Sequence, residues 1–174
     1  MNRNSAQRAR SPKALRRVEH GFSLIELLVV VAIILIIAAI AVPNLMKSKM
    51  SANEAGAAES VRTIVTGETT YSSACPDIGY SATLQELNTG AICASGKNII
   101  DDVLGASDPS FKSGYTFTYT FSTTGGPMNT GFTIVAAPSA QGYTGNRAFS
   151  SDQTGVIRYT LNGSAPTPTS SALQ

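Results

Sequence analysis

The longest apolar stretch of the chain runs from Phe22 to Val42 and contains a single charged residue, Glu26. As an α-helix this stretch is roughly 30 Å long, which matches the hydrocarbon core of a bilayer. A carboxylate in such a segment costs about 2.5–3.5 kcal/mol when it is central and less when it is near an end. The pattern therefore predicts a hydrophobic transmembrane helix over residues 22–43, in which the Glu26 carboxylate needs a compensating partner.

Beyond Pro43 the pattern changes to that of an amphipathic helix, which we expect over residues 44–73. The side predicted to be buried carries Ala57, Val61, Ile64, Val65, Glu68 and Tyr71. Glu54, Glu59 and Arg62 fall on the more exposed side. Proline removes a backbone donor and clashes with the preceding turn, so Pro43 either ends the membrane helix or kinks one continuous helix. Helix-forming residues resume at once, which favours the kink.

Residues 74–110 are expected to be mainly loop. A short helix is predicted over residues 83–88, closed by Gly90. The two cysteines of the chain, Cys75 and Cys93, fall in this region. On the exported side of a membrane two cysteines form a disulfide more often than they remain free thiols or bind a metal, so we expect a Cys75–Cys93 disulfide.

Strand signals begin at Tyr115, from which aromatic residues and threonines alternate as far as Phe121. Such alternation is typical of a strand with one buried face, and the aromatic face is more often core than a ligand site. Further strands are predicted at residues 132–137, 147–150 and 156–161. These strands make an antiparallel sheet over residues 111–162. The Ser-, Thr- and Pro-rich residues 163–174 are expected to form a flexible tail.

Together these patterns predict an α+β fold. Its long N-terminal helix has a membrane-embedded first half and a kink at Pro43, and its second half packs on a C-terminal antiparallel sheet of three to four strands.

The first 21 residues form a basic leader. They hold six of the 13 lysines and arginines of the chain and one of its 11 acidic residues. A basic segment before an apolar one keeps its own end in the cytoplasm, which predicts a single-pass membrane protein with a cytoplasmic N-terminus. Ordinary signal-peptide cleavage near the small residues 38–41 is the alternative, but it leaves Glu26 unexplained.

The leader is followed by the run Gly21-Phe22-Ser23-Leu24-Ile25-Glu26-Leu27. This run resembles the processing motif of type IV pilins and pseudopilins. In that family a membrane aspartyl protease, the prepilin peptidase, cuts after the glycine and methylates the new N-terminus. The resemblance implies cleavage between Gly21 and Phe22 and N-methylation of Phe22. The chain that remains would have seven basic and ten acidic residues, so its formal charge would be −3 rather than the +2 of the whole chain.

The resemblance also implies an assembly role for Glu26. Cleavage creates an ammonium group at Phe22, and the Glu26 carboxylate of one subunit would pair with the ammonium of a neighbour in a helical filament. A buried carboxylate is tolerated when it is paired and strongly disfavoured when it is not. The simpler alternative is that Glu26 lies near the helix end, where it faces water or lipid headgroups and complements the helix dipole.

Few residues of the chain suggest catalysis, nucleic-acid binding or metal binding. His20 is the only histidine and lies in the leader, and the chain has no tryptophan. We find no nucleophile–base pair, phosphate loop or basic cluster in the globular region, so we expect no catalytic residues, no cofactor and no specific nucleic-acid binding. Asp152 is the only carboxylate after Asp108, too few for a calcium site, so we expect no metal.

The favoured function is a structural subunit of a type IV pilus, which forms a homopolymer and ends in an extracellular filament. The alternative is a pseudopilin of a type II secretion system, located in a periplasmic pseudopilus. A membrane-tethered binding protein or enzyme is the least favoured. The expected partners are the prepilin peptidase, the inner-membrane assembly machinery, and membrane lipid before assembly, with Lys47 and Lys49 reaching lipid headgroups.

Overall fold

The computed structural model describes residues 21–89, 98–123, 126 and 128–173. The chain divides into two units, residues 1–40 and residues 41–174. One long helix, α1 (Leu24–Ala74), contributes residues to both units. A short helix, α2 (Leu84–Thr89), lies in the second unit, one residue from its predicted position.

The α1 residues of the first unit expose apolar side chains on all sides. Between Leu24 and Ile40 every large hydrophobic residue is at least 45% exposed. A helix that is apolar all round needs a membrane or neighbouring helices to cover it. Among the described residues, α1 is the one helix with a segment long and apolar enough to cross a bilayer.

The second unit contains a six-stranded antiparallel sheet whose strands follow chain order. The strands are β1 (Ser110–Lys112), β2 (Tyr115–Thr123), β3 (Asn129–Pro138), β4 (Ala148–Asp152), β5 (Arg158–Thr160) and β6 (Ser171–Ala172). Tyr119 lies opposite Ile134, and Ile134 also pairs with Ser151. The register therefore places alternate residues of β2, β3 and β4 on one face.

This face packs on the second half of α1 to form the core. The helix contributes Ala57, Val61, Ile64 and Tyr71, and the sheet contributes Tyr115, Phe117, Tyr119, Phe132, Ile134, Ala136 and Phe149. Leu84 and Leu87 of α2 close the core and are fully buried. The predicted α+β fold, with the aromatic face of β2 turned to the helix, is confirmed.

The sheet has six strands instead of the predicted three to four. The predicted strand at residues 156–161 contains β5, whereas β1 and β6 were not predicted. These two strands are only three and two residues long, so they carry too little alternation to be recognised. β1 and β2 are joined by the two-residue turn Ser113–Gly114, where φ is 52° and 75°. Two positive φ values characterise the type I′ turn, which suits a tight hairpin.

Part of the predicted flexible tail belongs to the sheet. β6 pairs with β5, and the Leu173 N–H donates to the carbonyl of Ile157 over 2.7 Å. The Arg158 guanidinium also donates to the Ser170 carbonyl over 2.9 Å. The sheet therefore extends to residue 172 rather than ending at 162, and backbone pairing rather than hydrophobic pattern holds this segment.

Candidate functional site: the start of the long helix

The predicted cleavage point lies in exposed, non-helical chain just before α1. Gly21 and Phe22 precede the first helical residue, Leu24, and Phe22 is 77% exposed. A Cβ built on Gly21 would meet no atom within 4 Å. Nothing in the described part of the chain therefore requires glycine at this position, and the Gly21–Phe22 bond is open to an external enzyme.

Glu26 caps the helix that contains it. Its Oε2 accepts a hydrogen bond from the Ser23 backbone N–H over 3.0 Å, and the Leu27 N–H donates to the Ser23 carbonyl over 3.2 Å. Ser23 is thus the N-cap residue and Glu26 the third helical residue, and this contact is the half of a capping box in which the N3 side chain accepts from the N-cap N–H. The carboxylate also lies in the first turn of α1, where negative charge is favourable.

This capping contact was not predicted, although Ser23 and Glu26 have the S-x-x-E spacing that indicates it. The predicted partner of the Glu26 carboxylate, the ammonium group of a neighbouring subunit, belongs to another chain. The contact with Ser23 leaves Glu26 exposed, so its carboxylate remains accessible to such a group.

Pro43 lies inside α1, which is one continuous helix between Leu24 and Ala74. The helix therefore does not end at the proline. Because proline has no N–H, the carbonyl four residues earlier, that of Ala39, lacks its usual partner. The kink at Pro43 stays a prediction.

The predicted disulfide has one end in the described chain. Cys75 follows α1 directly and is 3% exposed, and its N–H donates to the Tyr71 carbonyl over 2.9 Å. Cys93 lies outside the described residues, so the Cys75–Cys93 bond stays a prediction.

No group of three or more His, Cys, Asp or Glu side chains that could hold a metal occurs in the described ranges. Asp152 instead holds a turn: its Oδ1 accepts from the Thr154 N–H over 2.8 Å. Lys47 and Lys49 are exposed on α1, as a role at lipid headgroups would require.

Comparison with known proteins bears on the same segment. Residues 16–42 match the family model described as the prokaryotic N-terminal methylation motif. No curated protein matches the chain, and no solved structure does. The match includes Gly21, Phe22, Glu26 and the apolar part of α1 as far as Val42. The chain therefore carries a prepilin-type motif, that of the type IV pilins and pseudopilins which prepilin peptidase processes.

Proposed function

We propose that this chain is a structural subunit of a type IV pilus. Prepilin peptidase removes residues 1–21 and methylates Phe22, and the subunits then polymerise through the N-terminal half of α1. The observation that carries this proposal is the joint occurrence, in one motif, of an exposed Gly21–Phe22 bond and an exposed apolar helical segment with a single carboxylate at its start.

The exposed apolar residues of α1 supply the driving force for both proposed states. Before assembly they are covered by the bilayer of the inner membrane, and Lys47 and Lys49 meet the lipid headgroups beyond its far side. In the filament they are covered by the same segments of neighbouring copies. Exchanging lipid for protein changes apolar burial little, so the direction of assembly needs a further contribution.

That contribution is the pairing of Glu26 with the methylated ammonium group of Phe22 in a neighbouring copy. In the unassembled chain the Glu26 carboxylate has a neutral donor, the Ser23 N–H. The ammonium group carries a full positive charge, so in the low-dielectric interior of a filament it offers the carboxylate a Coulombic attraction that the neutral N–H does not. The same pairing would fix the axial register of the subunits.

Two substitutions separate capping from charge pairing. Glu26→Gln keeps an oxygen that accepts from the Ser23 N–H but removes the charge, whereas Glu26→Val removes both. We expect both variants to be processed and retained in the membrane, and neither to form filaments, because pairing with the ammonium group requires the charge. The measurements are the intact mass of the membrane-bound chain and the yield of sheared surface filaments. Normal filaments from Glu26→Gln would show that capping suffices.

The location of the wild-type chain distinguishes the pilus from the secretion system. We expect sheared surface appendages to contain, as an abundant component, a chain that begins at N-methylated Phe22, measured by mass spectrometry. A processed chain found only in the periplasm and membrane would instead support the pseudopilin of a type II secretion system.

A further inference from the structure

The second unit contains a buried carboxyl group that the assembly proposal does not use. Glu68, on the core face of α1, is 0% exposed, as is its neighbour Ser81. The Ser81 N–H donates to Glu68 Oε2 over 3.0 Å, and Ser81 Oγ lies 2.5 Å from Glu68 Oε1. Tyr119 of β2 completes the group and is 4% exposed.

Three oxygen–oxygen contacts link these residues. Glu68 Oε1 contacts Ser81 Oγ, Ser81 Oγ lies 3.3 Å from the Tyr119 hydroxyl, and that hydroxyl donates to the Ser81 carbonyl over 2.8 Å. Each contact needs one hydrogen to be a hydrogen bond. Ser81 and Tyr119 have one hydroxyl hydrogen each, so all three contacts can be hydrogen bonds at once only if Glu68 supplies the third.

The charges around Glu68 agree with this count. Within the described part of the chain, the titratable groups that face it are Tyr119 of β2, Glu86 of α2 and Tyr71 one turn along α1, and none of these is a cation. Burial raises the pKa of the Glu68 carboxyl above its ordinary value, and the nearby Glu86 carboxylate raises it further. The hydrogen bonds from Ser81 and Tyr119 lower it but do not cancel the effect of burial.

We propose that Glu68 is a neutral carboxylic acid in the folded domain. Its proton completes a hydrogen-bond network that links α1, Ser81 and β2, and this network weakens as the pH rises. Ionisation would leave a buried charge without a cation and remove the hydrogen from one of the three contacts. Because α1 and the sheet are the two layers of the core, this hydrogen-bond network connects the two layers.

The sign of the pH dependence follows from the direction of the shift. The pKa of Glu68 is raised in the folded chain above the ordinary value for glutamate of about 4.3. Its contribution to stability is therefore complete below that ordinary value and is lost as the pH rises through the folded-state pKa.

Glu68→Gln tests the proposal because glutamine has the hydrogen-bonding groups of the neutral acid. Its oxygen can accept from the Ser81 N–H and its amide can donate to Ser81 Oγ, whereas a carboxylate accepts at both atoms. The full chain in detergent micelles is unfolded by heat between about pH 4 and pH 8. We expect the difference between the unfolding midpoints, that of Glu68→Gln minus that of wild type, to increase by about 3 °C or more as the pH rises across this range.

The matched control is Glu59→Gln, on the same helix but with its side chain 67% exposed, for which no such change is expected. A constant difference between wild type and Glu68→Gln at all pH values would overturn the proposal. So would a Glu68→Gln chain that fails to fold at neutral pH, since that result would show that the site requires a carboxylate.

A second measurement does not depend on the variant being stable. Infrared spectra of the full wild-type chain, with glutamate carboxyls labelled with ¹³C, should retain a protonated carboxyl band at about pH 6, where ordinary glutamates are ionised. The band should be missing from Glu68→Gln and present in Glu59→Gln. The proposal would be overturned if the wild-type spectrum lacked a protonated carboxyl band, or if the Glu68→Gln spectrum retained that band.

Discussion

At the scale of single residues, Glu26 and Gly21 depend on different neighbours. Glu26 has a partner within its own chain, the Ser23 N–H 3.0 Å away, so its carboxylate is satisfied before any other subunit arrives. Gly21 has no close neighbour within the described residues. Within the described residues the fold therefore does not require glycine at position 21, which lies at the predicted cut.

This difference gives a prediction for Gly21→Ser. The added side chain meets open space, so we expect the fold to be unchanged, while the prepilin peptidase that the motif implies no longer cleaves the chain. The membrane fraction should then contain the intact 18.1 kDa precursor, measured by intact mass. Gly56→Ala is the control, because Gly56 lies far along α1 from the cut and that variant should be processed normally. Efficient cleavage of Gly21→Ser would contradict this assignment.

The sequence identified Gly21, Phe22 and Glu26 because the motif is contiguous and all three fall in seven residues. It also contained the capping signal, since Ser23 and Glu26 are three residues apart. The bond between Glu68 and Ser81 could not have been predicted. It joins residues 13 apart across a loop, and neither position has a distinctive pattern.

At the scale of elements, the long amphipathic and alternating segments were predicted well, as was the short helix α2, whereas the short strands β1 and β6 were not predicted. The buried side of α1 follows a helical period, so Val61, Ile64 and Tyr71 were placed correctly. β1 and β6 are defined by pairing with the neighbouring strand, and a sequence of two or three residues gives no sign of that. The burial of Gly67 was not predicted either, since it results from close packing against Ile99 and Ile100, which lie between α2 and β1.

Two glycines of α1 give opposite expectations when they are replaced by alanine. At Gly56 the new Cβ would lie 3.6 Å from Ser113 Oγ, an ordinary contact. Since glycine costs a helix interior roughly 0.5–1 kcal/mol relative to alanine, Gly56→Ala should stabilise the domain by about that amount. At Gly67 the Cβ would lie 3.2 Å from side-chain carbons of both Ile99 and Ile100, so crowding should cancel or reverse the gain.

The measurement is the thermal unfolding midpoint of the full chain in detergent, followed by circular dichroism. Gly56→Ala should unfold at a higher temperature than Gly67→Ala. An equal rise in both variants would show that Ile99 and Ile100 move aside at no cost.

At the scale of the whole second unit, contacts between distant parts of the chain fix the loops to the helix. The Glu54 Oε1 atom accepts from the backbone N–H groups of Asn146 and Arg147, over 2.8 and 3.2 Å. Its Oε2 lies 3.5 Å from the Arg147 side chain, which also lies over the Tyr159 ring. One carboxylate of α1 thus holds the β3–β4 loop and, through Arg147, a residue of β5.

We therefore expect Glu54→Ala to destabilise the second unit by about 1–3 kcal/mol, because two backbone donors lose their acceptor. Glu59→Ala is the matched control: its ion pair with Arg62 is exposed, and such pairs contribute about 1 kcal/mol or less. The measurements are the unfolding midpoint and the hydrogen exchange rate of the Asn146 amide, which should rise only in Glu54→Ala. Equal effects of the two substitutions would contradict the role given to Glu54.

The chain order of the sheet has a consequence for how the protein is made. Each strand from β2 to β6 pairs with its immediate predecessor. Under the proposed function, a strand that crosses the membrane therefore finds its partner already on the far side. α1 emerges first and offers its apolar face as a surface on which β2 can settle. No late segment has to thread between strands already paired, and short connections of this kind favour rapid folding. Under the proposed function, the domain that follows the membrane helix can thus complete its sheet in the order in which it is translocated.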